Sequence, residues 1–215
     1  MKKHIVIQLV IAFLFTFMGG YCDGYTYLTR NGIFSHMQTG NLIKFCIALA
    51  NGYFEYPLLI PIIFFCLGCI AATFIGKLKY CSYITTTTLA ITFFACSFCP
   101  LEKTWSIVAV SVLSFVAALQ FQAFNRCLNY HYTSTMCTNN MRLLSNNIAH
   151  RNLKKVAFYF SIILCFALGV VASTFVVKIM DFYALAPSAL IFIVILVLLF
   201  VDKNEIKIDN EEIND

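Results

Sequence analysis

The distribution of charged residues constrains this chain more than any other feature of its sequence. Six stretches contain no Asp, Glu, Lys or Arg: Ile5–Cys22, Leu58–Gly76, Tyr80–Cys99, Trp105–Asn125, Val156–Val177 and Phe182–Val201. Each is about as long as a helix that crosses a hydrocarbon core of roughly 30 Å. Because lipid offers no hydrogen-bond partner to the backbone, these stretches are predicted to be helices. We therefore expect an integral membrane protein that crosses the bilayer several times.

The composition supports this prediction and excludes several classes of function. Only 12% of the residues are charged and 60% are hydrophobic, whereas globular domains carry about 25% charged residues. The net charge of +5 comes from loops between the apolar stretches, so it does not indicate nucleic-acid binding. The sequence contains no nucleotide-binding loop and no nucleophile elbow. We predict no enzymatic activity, and an intramembrane enzyme using Asp23 and His36 is a minor alternative.

An internal repeat divides the chain into two halves. The stretch Leu67–Phe74 aligns with Leu168–Phe175, and five of the eight positions are identical. Upstream, Thr39-Gly40-Asn41 aligns with Thr138-Asn139-Asn140. Each half contains a long helix, a polar break, a short segment and two long helices. We predict two membrane repeats, at residues 1–100 and 101–201, and a disordered cytoplasmic tail at 202–215.

The two short segments, about Gly32–Asn51 and Thr133–His150, decide the topology. If both crossed the bilayer, eight Lys and Arg residues would lie inside and five outside. If both are re-entrant, ten lie inside and three outside, which the positive-inside rule favours. The predicted fold class is an all-α membrane protein with six transmembrane helices and two short re-entrant half-helices, in two inverted repeats. We expect it in the inner (plasma) membrane with both termini cytoplasmic.

The motif Gly19-Gly20-Tyr21-Cys22-Asp23-Gly24, followed by Gln38-Thr39-Gly40-Asn41, resembles the YoaK-type family of multi-pass bacterial membrane proteins, whose domain has no known function. The resemblance covers about Ile5–Val201. The second half departs from it, because Gln122 stands where the family has Asn and Asn139 stands where it has Gly. The resemblance implies a candidate transporter without an established substrate.

Asp23 is the only carboxylate between Met1 and Glu55, and it directly follows the first apolar stretch. An ionisable residue at membrane depth is costly and therefore a functional candidate. Two interpretations fit the sequence. Asp23 is a proton or cation site, or it is a structural partner for Arg30 or for backbone near Gly19–Gly24.

The two triplets precede apolar residues, so they are predicted to begin the two short helices. Thr and Asn there can cap free N–H groups, and the positive ends of the helix dipoles could face a polar solute or an anion. Lys44 and Arg142 would strengthen that field, although plain capping is the alternative. For four candidates (His36, Gln38, Gln122 and Asn125) an interhelical hydrogen bond is an equal alternative. The candidate solute-binding residues are Asp23, His36, Gln38, Thr39, Asn41, Gln122, Asn125, Thr138 and Asn140.

The ten cysteines are predicted to be packing residues. Two Cys-x-x-Cys pairs, Cys66/Cys69 and Cys96/Cys99, would lie more than about 8 Å apart in depth on a helical hairpin. One zinc ion needs all its ligands within a little over 2 Å. We therefore expect no metal, no cofactor and no disulfide framework, with cysteine acting as a small apolar residue.

Small residues at matched positions predict close helix packing. Gly68, Ala72 and Gly76 form one stripe, and Gly169 and Ser173 form another. We interpret both as the seam between the halves, and a homo-oligomer interface is the alternative.

The predicted function is a transporter or channel-like permease for a small polar solute, with anions among the candidates, working from a central site between the half-helices. The alternative is a solute-binding membrane subunit that needs a partner protein to drive transport. The predicted partners are the lipid bilayer and the solute.

Overall fold

Helices form most of the chain in the computed structural model, which describes residues 2–202. The eight α-helices in this range are α1 (Lys2–Thr29), α2 (Gln38–Ala50), α3 (Tyr56–Ile75), α4 (Cys81–Cys96), α5 (Lys103–Ala123), α6 (Thr138–Ala149), α7 (Leu153–Met180) and α8 (Leu185–Asp202). A 3-10 turn, Asp181–Ala184, joins α7 to α8. Two short antiparallel strands, β1 (Arg126–Cys127) and β2 (Tyr130–His131), form a small hairpin before α6.

Four helical stretches are long and apolar enough to cross a membrane: Lys3–Thr29, Tyr56–Ile75, Lys103–Ala123 and Leu153–Asp202. The last stretch contains both α7 and α8, and α4 is a shorter apolar helix of 16 residues. Only 17% of the apolar window in Tyr56–Ile75 is buried inside the protein. An outward-facing apolar surface of this extent is typical of contact with lipid. The chain is thus an all-α protein with membrane-type helices, as the charge-free stretches predicted.

The long helices pack in pairs that join the two halves of the sequence. Helix α1 runs against α7, α3 runs against α5, and α4 runs against α8. The short helices pack within their own halves, α2 on α3 and α6 on α7. The main core lies between α1, α4, α5 and α8. There the rings of Phe15 and Phe124 stack at 3.9 Å, and those of Phe93 and Phe192 meet edge to face at 4.8 Å.

The predicted small-residue stripes lie at contacts between the halves. A Cβ atom built on Gly169 would stand 2.0 Å from the carbonyl oxygen of Phe17 in α1. One built on Gly68 would stand 2.4 Å from the carbonyl oxygen of Phe115 in α5. The backbones approach so closely that only glycine fits, which confirms close packing between the two halves of the sequence at Gly68 and Gly169.

Contacts near the chain ends gather one set of loops at one end of the helix bundle. The imidazole of His4 pairs with the carboxylate of Asp202. The hydroxyl of Tyr83, at the start of α4, donates to the carbonyl of Leu199, 3.0 Å away near the end of α8. The start of α1, the loop before α4 and the end of α8 therefore lie together.

A second set of loops gathers around the end of α1. Arg30 donates to the carbonyl oxygens of Cys99 (2.9 Å) and Pro100 (2.6 Å), between α4 and α5. Tyr25 donates to the carbonyl of Phe182, 2.8 Å away in the turn between α7 and α8. The ends of α1, α4 and α7 are therefore neighbours.

The prediction of a disordered tail beginning at residue 202 is wrong for its first residue. Asp202 is the last residue of α8 and is buried, because its carboxylate contacts His4. The rest of the predicted tail, residues 203–215, lies outside the described part of the chain.

We predict that Gly169→Ala lowers the stability of the purified protein by about 1–3 kcal/mol, because the added methyl group must push the α1 and α7 backbones apart. Thermal unfolding in detergent would measure the loss. Val171→Leu is the control, since Val171 lies two residues away and is half exposed on the outer surface. Equal melting temperatures for wild type and Gly169→Ala would contradict the seam.

Candidate functional site

Two non-helical segments enter the interior between α1 and α5. The first break is residues 30–37, between α1 and α2, and the second break is residues 124–137, between α5 and α6. In the first break, the backbone N–H groups of Ser35 and His36 donate to one carboxylate oxygen of Asp23, at 3.0 and 2.8 Å. The first break is therefore folded back onto α1 by a buried carboxylate.

Asp23 is 3% exposed, and its two oxygens have different surroundings. Oδ1 accepts the two backbone bonds and a third from the Ser35 hydroxyl at 3.2 Å. Oδ2 is buried without a hydrogen-bond partner among the described residues. The suggested pairing with Arg30 is wrong, because the guanidinium donates to the carbonyls of Cys99 and Pro100. Asp23 therefore holds the backbone of the first break through Oδ1, whereas Oδ2 has no hydrogen-bond partner among the described residues.

Asp23, Ser35 and His36 lie close together, but they do not form a nucleophilic triad. His36 Nδ1 is 2.8 Å from the Ser35 hydroxyl and 3.6 Å from Asp23 Oδ1. In a triad the base takes the serine proton on one ring nitrogen and the acid orients the other. Here both partners face the same nitrogen, and the other ring nitrogen, Nε2, is buried without a partner in the described chain.

The second break is held by Gln120 of α5. Its Nε2 donates to the carbonyl of Phe15 in α1 at 3.0 Å and to the Ser134 hydroxyl at 3.2 Å. The predicted candidate Gln122 lies half-buried two residues farther along α5. The available sequence signal for this residue was an amide that directly follows the apolar run Ala117-Ala118-Leu119.

The two breaks meet on the same face of α1. A Cβ built on Gly19 would stand 2.5 Å from the carbonyl oxygen of Ser134, so the second break lies directly against that glycine. Asp23, which binds the first break, is one helical turn further on, about 6 Å along the axis. We call this meeting point the central junction.

Four buried side-chain atoms at the central junction have no hydrogen-bond partner within residues 2–202. They are Oδ2 of Asp23, Nε2 of His36, Oε1 of Gln120 and the Thr135 hydroxyl oxygen. Each comes from a different element, since α1, the first break, α5 and the second break contribute one apiece. The central junction therefore contains buried hydrogen-bonding atoms that have no partner among the described residues.

Asn41 and Asn140 have the same structural role in the two halves. Asn41 Oδ1 accepts from the N–H of Phe34 at 2.9 Å, and its Nδ2 donates to the Phe34 carbonyl at 2.7 Å. Asn140 makes the same two bonds to Thr133, at 3.0 and 2.7 Å. Both side chains are fully buried. Their amides hold the backbone seven residues earlier and do not turn toward a solute.

The difference between the two triplets has a steric explanation. A Cβ on Gly40 would stand 2.9 Å from the ring of Phe34, so glycine leaves room for that ring. In the second half the equivalent of Phe34 is the small Thr133, and Asn139 replaces glycine. The Asn139 amide then reaches the Thr133 hydroxyl at 3.4 Å. Each half therefore has a matched pair, Phe with Gly or Thr with Asn.

The predicted threonine caps are wrong. The N-cap residues of α2 and α6 are Met37 and Cys137, and neither makes a side-chain capping bond. Thr39 and Thr138 lie inside the first turns with their side chains exposed. Both helices therefore begin without a side-chain cap.

The basic residues near the triplets do not face the central junction. Lys44 donates to the carbonyl of Gly32 and lies 4.7 Å from the ring centroid of Phe34. Arg142 donates to the side chain of Asn139 at 3.0 Å and is exposed. The expected positive field at the site is therefore absent from these two positions.

The remaining predicted residues divide between the junction and its edge. Gln38 donates to the Ser35 carbonyl at 2.7 Å and to the Ser114 hydroxyl of α5 at 3.2 Å, so it ties the first break to α5. Asn125 is half-buried at the start of the second break, where its carbonyl accepts from the N–H of Tyr132 at 2.9 Å. The two breaks therefore lie together, whereas α2 packs on α3 and α6 packs on α7.

A cavity of about 300 Å³ lies beside Asp23, between α1, the first break and α7. Its walls are almost entirely apolar. They are formed by Asp23, Gly24, Tyr27, Leu28, Phe34, Met37, Phe166, Val170 and Thr174. None of the α7 residues in this set was among the predicted site residues.

We predict that Gly40→Asn lowers the melting temperature of the purified protein, since crowding against the Phe34 ring costs about 1–3 kcal/mol. Adding Phe34→Thr should recover part of that loss by recreating the pair found in the second half. Thermal unfolding of the two single variants and the double variant forms a cycle that isolates their coupling. Asn139→Gly is the matched control and should cost less, because it creates no clash. Strictly additive effects would contradict the paired arrangement.

The chain matches, over residues 11–198, the family described as Protein of unknown function (DUF1275). The resemblance to YoaK-type membrane proteins is consistent with this match. No match was found among curated proteins or among solved structures. Since the family match spans well over half of its length, the chain belongs to the DUF1275 family of proteins of unknown function.

Proposed function

We propose that this chain is a small permease that passes a small polar solute through the central junction. The observation that carries the proposal is the set of four buried, unpartnered polar atoms from four different elements. A buried polar atom without a partner costs about 1–3 kcal/mol. Four of them around the place where the two breaks meet are best explained by a polar molecule that binds and leaves.

The proposed topology has six spans, with both breaks and their short helices re-entrant. Helices α2 and α6 have 13 and 12 residues, or about 18–20 Å, which is too short for a hydrocarbon core of roughly 30 Å. The contact between Tyr83 and Leu199 requires that the start of α4 and the end of α8 share one side. An eight-span chain would separate them. Positive-inside counting then makes this side cytoplasmic, with both termini, in the inner membrane.

The proposed inverted repeats are supported by the way the helices pair. In the proposed repeat, α1 corresponds to α5 and α3 corresponds to α7. The contact of α1 with α7 therefore corresponds to the contact of α5 with α3, and both contacts are extensive. The identical bonding of Asn41 and Asn140 adds a second correspondence. Inverted repeats with interrupted helices near the midplane are an arrangement of secondary transporters.

The charge at the junction favours a neutral or cationic solute over an anion. Asp23 already occupies the N–H groups of the first break, where an anion would otherwise bind. Lys44 and Arg142 bind other groups away from the junction. A buried carboxylate without an adjacent lysine or arginine would repel a second negative charge.

We predict that a cysteine at position 79, introduced as Lys79→Cys into a cysteine-depleted variant, is labelled by a membrane-impermeant maleimide only from the cytoplasmic side. Glu102→Cys is the matched control and should be labelled only from outside, because the loop that carries it contacts the end of α1. Labelling of intact and permeabilised cells would test both. External labelling at position 79 would contradict the six-span topology.

We predict that proteoliposomes containing this chain alone take up at least one of three probes, glycerol, urea or methylammonium, faster than empty liposomes. Stopped-flow light scattering measures the two neutral probes, and a radiolabel measures the third. Thr135→Val should slow that flux about fivefold, since one lost hydrogen bond is worth roughly 1 kcal/mol. Thr88→Val is the matched control, because the Thr88 hydroxyl is exposed and bonds only to its own helix.

Wild-type flux equal to that of empty liposomes for all three probes, with the protein inserted and folded, would count against a self-sufficient permease. The partner-dependent binding subunit would then be the better account.

A further inference from the structure

We propose that the cavity beside Asp23 binds a small organic cation, with an ammonium group on the carboxylate and an apolar body against α7. The inference names the solute class for the permease and rests on that proposed function for its role in transport. Binding itself is a separate property of the cavity. It can therefore be measured without any flux.

The cavity has the size and walls of a site for a small apolar molecule. Its volume of about 300 Å³ is at the lower end of ligand pockets, which span roughly 300–1,000 Å³. Phe166 and Val170 of α7 form one side, and Leu28 of α1 and Met37 of the first break form others. A hydrated ion or a sugar would find few hydrogen-bond partners on such walls.

The carboxylate supplies the single strong anchor. Asp23 lines the cavity and is 97% buried, as its exposed fraction is 3%. Three donors satisfy Oδ1, whereas Oδ2 has no partner within the described residues. The lining contains no lysine or arginine. A buried carboxylate is costly unless a cation accompanies it, so an ammonium group in the cavity would offset that cost once the covered Oδ2 turns toward it.

Two aromatic rings of the lining already contact a cation of the chain itself. Tyr27 and Phe34 stack at 5.2 Å and both line the cavity. The ammonium of Lys44 lies 4.9 and 4.7 Å from their centroids, although Lys44 lines a neighbouring cavity. These rings therefore already hold one ammonium group by cation–π attraction.

Other occupants satisfy the cavity less well. A metal ion such as Ca²⁺ needs six or more oxygen ligands, and the lining supplies side-chain oxygens only from Asp23, Tyr27 and Thr174. An acyl chain would fit the walls but would leave Oδ2 unpaired. An anion would face the carboxylate directly.

The test uses three probes that share one ring and differ in charge: benzylamine, benzyl alcohol and benzoate. Calorimetric titration of the full chain in lipid nanodiscs measures each affinity. We expect saturable binding of benzylamine at least tenfold tighter than that of benzyl alcohol, and no binding of benzoate. Asp23→Asn should weaken benzylamine at least tenfold and leave benzyl alcohol unchanged. Asp181→Asn is the matched control, because that acid is exposed and outside the lining.

Equal affinities for the amine and the alcohol, or full benzylamine affinity in Asp23→Asn, would overturn the proposal. If Asp23→Asn does not fold, Val170→Phe fills the cavity without removing the charge, and undiminished benzylamine binding by that variant would overturn it equally. Binding without uptake into liposomes would uphold this site and count against the permease. Uptake of a probe without benzylamine binding would uphold the permease and overturn the solute class.

Discussion

Buried backbone polar groups must find partners within the protein, and the two breaks depend on that constraint. Each break exposes N–H and C=O groups that a continuous helix would have satisfied. Asp23 takes the free N–H groups of Ser35 and His36, and Asn41 takes both polar groups of Phe34. Without these side chains the first break could not lie against α1, and no central junction would form.

The two halves meet this constraint with different chemistry. The second break uses the neutral amide of Gln120, whereas the first uses a carboxylate. An amide can both donate and accept, so Gln120 bridges α1 and the break with one group and keeps its oxygen free. The carboxylate only accepts, and it brings a charge. The junction therefore has a carboxylate on the side of the first break and a neutral amide on the side of the second, so the two halves contribute different polar groups.

Sequence reasoning predicted the elements well and their internal contacts poorly. The charge-free stretches correspond to the long helices, and the repeat located both short helices, because hydrophobicity and local similarity depend on neighbouring residues. Gln122 was the predicted candidate in α5, yet Gln120 binds Ser134, since a shift of two residues turns a helical side chain by about 200°. The asparagines were expected to face a solute, yet their amides are used by the breaks. The path of a non-helical segment decides such bonds, and no sequence period encodes that path.

Two opposite charges are buried near the end of α1, and the helix geometry prevents them from pairing. Asp23 and Arg30 are seven residues apart, which places them about 10 Å apart along the axis. The guanidinium donates to two loop carbonyls and to the Tyr25 hydroxyl, so its charge fixes the ends of α1 and α4 to each other. A single salt bridge would have neutralised both groups and removed Asp23 from the junction. Their separation instead leaves Arg30 as a structural tie between loops, and it leaves Asp23 Oδ2 without a hydrogen-bond partner among the described residues.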